Sequence, residues 1–138
     1  MKRHSTNYQN TFIEIAEDCP VNGAEIPPMK GEKKSLANMQ FVMLNKHPYE
    51  FTSDDILFQV YADKNDLSES EYSAEREKFF SKGQACFRAS PLTKRYGFGI
   101  HSDDQGKIAM FGAETEEYAQ FIADKSVEKV RAMRSKRV

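Results

Sequence analysis

One stretch limits the choice of fold more than any other. From Tyr96 to His101 the large apolar residues Tyr96, Phe98 and Ile100 alternate with Gly97 and Gly99, and Lys107 to Phe111 forms a second short apolar run. Alternation of this kind marks a half-buried strand. The intervening SDDQG is a turn sequence, with aspartates that favour the turn and Gly106 able to take the positive φ of a bulge. The stretch therefore predicts a β-hairpin, and the rest of the chain must supply elements that cover it.

Ile13 and Ile15 share one side of a predicted strand over 11–16. Between Pro20 and Gly31 three prolines and two glycines disfavour helix and ladder, so this part reads as a surface loop. Leu36, Met39, Met43 and Leu44 recur at helical spacing from Lys33 onward, and Pro48 ends that helix near Lys46. The next segment points two ways. Thr52 followed by Asp55 resembles a helix start, whereas ILFQVYA is β-branched and aromatic, and a strand from Ile56 to Ala62 is the expectation taken. Ser68 with Glu71 makes a capping box for a helix carrying Tyr72, Arg76, Phe79 and Phe80 and closed by Gly83. Gln84–Ser90 alternates again and reads as a strand. Thr115 caps a helix with Tyr118, Phe121 and Ile122, and a last short helix carries Val127, Val130 and Met133. The sum is α+β: one domain over 1–138, a mostly antiparallel sheet with helices packed on one face, the other face partly open, and flexible ends at 1–9 and 135–138.

A chain of 138 residues can bury a core without disulfides or metals. Its two cysteines, Cys19 and Cys86, lie far apart and read as reduced thiols. The formal net charge of -1 recommends neither nucleic acid nor an anionic membrane as a partner. KRHSTNYQN has no apolar run to serve as a secretory signal, and no stretch is long enough to span a bilayer, so a cytoplasmic protein is expected. No cofactor or metal is expected. Gly97–Gly99 lacks the dinucleotide and P-loop patterns, His4 and His47 stand alone, and the pairs Asp54/Asp55 and Asp103/Asp104 suit turns and helix starts.

NTFIEIAEDCP near the amino end, FTSDDILFQVYA in the middle and FFSKGQACFRASPLTKRYGFGIH later resemble domain-of-unknown-function family 6157, a family of small, mostly bacterial proteins. The resemblance covers most of the chain. It implies a single-domain architecture and assigns no activity, cofactor or site residue.

Charge is segregated along the sequence. Glu50–Glu77 holds nine acidic and two basic residues, and Lys78–His101 holds five basic residues and no acid. With Gln84–Ser90 and Tyr96–His101 as neighbouring strands, Cys86, Arg88 and Ser90 share a face with Gly97, Gly99 and His101. On this reading the two glycines floor a shallow anion site, with Arg88, Ser90, Lys94, Arg95 and His101 around it. The preferred function is binding of a small anion or an acidic protein segment, a binding role being favoured over catalysis. Plainer readings stand beside it: the basic run pairs with the acidic run, and the glycines admit a tightly packed helix. A thiol-type enzyme using Cys86 and His101 is the alternative from another class. A third reading has the basic end, KSVEKVRAMRSKRV, touching nucleic acid.

Overall fold

The computed structural model describes residues 4–21, 23–29 and 35–134. Strands β1 (Thr11–Glu14), β2 (Phe98–Ser102), β3 (Ile108–Gly112) and β4 (Glu128–Arg131) form one sheet in the order β3-β2-β1-β4. β1 pairs with β2 and β2 with β3 antiparallel, and β1 pairs with β4 in parallel. The α+β class and the mostly antiparallel sheet stand, with a mixed sheet as the refinement. The β2–β3 hairpin closes as its sequence predicts: Gly106 has φ 79°, and the Asp103 carboxylate accepts the amides of Gln105 (2.9 Å) and Lys107 (2.8 Å).

Register decides what each face carries. Ile13 lies opposite Ile100, and Ile100 opposite Met110, so these residues share one face with Phe98 and Ile108. Helices α1 (Leu36–Lys46), α2 (Ser53–Lys64) and the short α4 (Pro91–Lys94) pack there, contributing Leu44, Ile56, Val60 and Leu92 to the main core. Phe12 lies opposite His101, placing it on the other face with Gly99 and Phe111. Helix α5 (Glu116–Ala123), capped by Thr115 as expected, covers that face with Tyr118 and Phe121. Helices therefore lie on both faces, not on one.

Helix α2 replaces the strand expected over 56–62. Ile56 and Val60, four residues apart, enter the main core, while Phe58 and Ala62, also four apart, enter a second cluster with Phe80. One helix buried on two sides thus produces an alternation that looks like a strand's. The capping box starts it: the Thr52 hydroxyl accepts from Asp55 N (3.2 Å), and Asp55 Oδ2 accepts from Thr52 N (3.1 Å). Removing the hydroxyl with Thr52→Ala should lower stability by about 1 kcal/mol, read from the urea midpoint at unchanged slope.

Ser68 and Glu71 form the expected capping box, and α3 (Tyr72–Phe79) packs on α2 through Tyr72 and Phe79, ending ahead of Gly83. Gln84–Ser90 is not a strand. Phe87–Ala89 is a 3-10 turn with Phe87 sunk in the core, and Ser90 caps α4, whose first residue is Pro91, by accepting from Leu92 N. The last expected helix is instead β4, where Arg131 pairs with Glu14 (3.4 Å). Of the two ends read as flexible, residues 4–9 are tied down, with Thr6 donating to Asp54 from its backbone and its hydroxyl. Residues 1–3 and 135–138 lie outside the described residues. Among the described residues no helix is long and apolar enough to cross a membrane.

Candidate functional site

The face expected to bind anions does not exist as one surface. Gly99 faces rings, not solvent: a Cβ there would lie 2.5 Å from Phe12 Cζ and 2.7 Å from Tyr118 Cε2. Gly97, at φ 78°, is pressed against the 20–29 loop, with Gly23 O 2.8 Å from its would-be Cβ. Close packing accounts for both glycines, but the expected helix is met only at Gly99, through Tyr118 of α5; at Gly97 the neighbour is a loop.

His101 lies beneath α5, stacked on Phe121 with ring centroids 4.2 Å apart, and its Nδ1 shares a 2.9 Å hydrogen bond with the Tyr49 hydroxyl. Burial holds its pKa below the ordinary histidine value, against the opposing pull of Asp103 and Asp124. Burial first, and then Asp103, pushes the Tyr49 phenol up to about 12. The ring is thus neutral near pH 7 and poorly suited to hold an anion.

The basic residues disperse as well. Arg88 Nε donates to Arg131 O (2.7 Å) at the edge of β4. Lys94 and Arg95 border a separate cleft of about 320 Å³ with Ser35 and Tyr96. Lys78 reaches Glu75 on its own helix at 3.6 Å, and among the described residues Lys82, Arg88, Lys94 and Arg95 form no ion pair, so the basic run does not neutralise the acidic one. Arg131 and Arg134 of the basic end pair with Glu17. Cys86 has the Tyr8 hydroxyl as its hydrogen-bonding neighbour, 3.6 Å away, whereas His101 is bonded to Tyr49. Among the described residues no histidine hydrogen-bonds to Cys86.

Ser90 leads to a different site. It is 5% exposed and donates to Gln40 Oε1 across 2.6 Å. Gln40, on α1, is 2% exposed, and its amide nitrogen has no hydrogen-bond partner among the described residues. No fully enclosed polar side-chain atom of those residues lacks a partner, so this nitrogen opens onto the groove that Gln40 lines. The groove, of about 240 Å³, runs between α1, α2 and residues 84–90. Leu36, Leu57, Val60 and Phe79 make it apolar, Lys64 stands on its wall, and Cys86 lines it as Ser90 does. Among the described residues Lys64 has no carboxylate within ion-pair distance. An amide donor that opens into an apolar groove suits an oxygen acceptor on a ligand.

A wider hollow of about 610 Å³ beside α2 and α3 offers less. Its charged and amide groups already have partners: Asp55 with Arg76, His47 with Glu50, and Gln59 with Asp63 and Tyr72.

Of the seven residues expected at the site, Ser90 alone belongs to the groove. Gln40 and Lys64 were missed. The signal for Gln40 was present: Leu36, Gln40 and Leu44 are spaced by four, so a glutamine interrupts the apolar stripe of a helix. Residues 3–138 match the model of a family of unknown function, DUF6157, and the chain belongs to that family. No curated protein and no solved structure matches it.

Proposed function

We propose that the chain binds a small, mainly apolar molecule bearing a carboxylate or carbonyl oxygen in the groove between α1, α2 and residues 84–90. The amide nitrogen of Gln40, without a partner among the described residues and open to the groove, is the observation that carries this reading. Apolar walls hold the body of the ligand, and Gln40, fixed by Ser90, donates to its oxygen. Lys64 favours an anion over a cation. The volume, about 240 Å³, is below the roughly 300–1,000 Å³ of drug-sized sites, so a short-chain molecule fits better than a large one.

Octanoate tests the reading. It should raise the melting temperature in a saturable way, and octylamine should not, because Lys64 repels it. Gln40→Leu should weaken octanoate binding about tenfold or more, the usual worth of a hydrogen bond to a charged group. Lys64→Gln, a change on the groove wall, should weaken it less while leaving the fold intact. Equal shifts with octanoate and octylamine, or equal octanoate affinity in wild type and Gln40→Leu, refute the site.

Binding of a small inorganic anion is the second reading, and its basis is the cleft holding the unpaired Lys94 and Arg95. Phosphate should then stabilise the wild type more than Lys94→Ala at constant ionic strength.

A further inference from the structure

We propose that Cys86 is a covalent acceptor for electrophilic members of the groove's ligand class, the α,β-unsaturated ketones and aldehydes. The proposal rests on the groove reading and adds a reaction to it. A cysteine alone marks no site, but this one lines the same groove of about 240 Å³ as Gln40, whose amide nitrogen opens onto that groove with no partner among the described residues. In so small a space a molecule whose oxygen meets Gln40 lies against the sulfur as well. Cys86 and Gln84 also line a second hollow with Ser5, Asn7 and Tyr8, so the residue borders two openings. The Tyr8 hydroxyl touches it at 3.6 Å, and the Arg88 guanidinium acts on that same phenol. In such additions the thiolate is the nucleophile.

The addition balances without an oxidant or reductant. The thiol proton leaves to water, and the sulfur lone pair forms a bond to the β-carbon of the enone. The carbon–carbon π pair moves through the α-carbon to the carbonyl oxygen, giving an enolate, and Gln40 Nε2–H donates to that oxygen as its charge develops. Water then protonates the α-carbon. The net change is S–H added across C=C.

Treatment with trans-3-nonen-2-one at neutral pH, followed by intact-mass analysis and peptide mapping, tests this. Cys19 is an internal control, since it too is a partly buried thiol but packs against the main core. Cys86 should acquire one adduct at least about tenfold faster than Cys19, and Gln40→Leu should slow it about tenfold. The saturated 2-nonanone should protect it. Cys86→Ser should remove the adduct while preserving the fold. Equal rates at the two cysteines, or a Cys86 rate indifferent to Gln40→Leu, overturn the proposal even where octanoate binds. Fast, Gln40-dependent labelling in a protein that ignores octanoate supports the covalent step and refutes carboxylate binding, so the two ideas fail separately.

Discussion

Phe12→Ala should destabilise the protein by about 3–5 kcal/mol, as truncation of a fully enclosed aromatic side chain does. Phe12 is 0% exposed and is the point where the inner strand meets α5: its ring lies edge-on to Tyr118 and stacked on Phe121, each at a centroid distance of 5.0 Å. Tyr118 adds a second tie, its hydroxyl oxygen accepting from Ile15 N at 3.0 Å. With the ring gone, α5 keeps that bond but loses the surface it rests on. Urea unfolding reads the loss directly, and a change under about 1 kcal/mol would show that the helix docks without this ring. Because the groove lies beyond the sheet's opposite face, octanoate affinity measured on the folded fraction should be unaltered.

Gly99→Ala is the companion result, and here two effects oppose each other. Replacing glycine restrains the unfolded chain, a gain of about 0.4–1 kcal/mol where the native backbone accepts it. Against that, the new methyl carbon would lie 2.5 Å from Phe12 Cζ, 2.7 Å from Tyr118 Cε2 and 3.1 Å from Ile13 O. An enclosed ring, a half-buried one and a strand carbonyl must move, and overpacking of this kind costs about 1–3 kcal/mol. The steric term wins, so a net loss is expected. A smaller partner should relieve it: in a Phe12→Leu background the same substitution should cost about 1 kcal/mol less, a coupling that a double-mutant cycle measures. Equal costs in both backgrounds would mean that the clash lies elsewhere.

How much of this was legible in the sequence depended on whether a local signal had one meaning. The hairpin was, because alternation, an aspartate turn and Gly106 agree. Helix α1 was, because its stripe and the proline after it agree, and α3 and α5 were, because cap and stripe agree. α2 was not, since β-branched and aromatic residues on two buried sides imitate a strand, although the Thr52–Asp55 cap was in plain view. At Ser90–Pro91 a cap followed by proline announced a helix start, yet the alternation around Phe87 suggested a strand. β4 was hidden for another reason: Val127, Val130 and Met133 suit a helical stripe, and what makes the segment a strand is β1, more than a hundred residues earlier.

The candidate site suffered more, because it depended on those errors. Placing Arg88 and Ser90 on a strand beside His101 joined residues that the fold keeps apart. Glycine opposite large apolar residues does signal a close approach, but the approaching group is Phe12, from another strand of the same sheet. Gln40 was recoverable as a polar break in an apolar stripe. That its amide nitrogen is left without a partner emerges only when Ser90 is placed beside it.

The strand order has a consequence for the route to the folded state. β1 is interior to the sheet, and its neighbours are β2 at 98–102 and β4 at 128–131. A chain leaving the ribosome therefore presents its first strand long before either lateral partner has been synthesised, while α1, α2 and α3 already have one another to pack against. The helical layer is positioned to collapse first as a local nucleus, and the sheet to assemble against it afterwards through contacts distant in sequence, which are slow to close. During that interval Phe12 and Ile13 stay uncovered, so a stretch open to misassociation in the nascent protein is among the most deeply enclosed in the finished one.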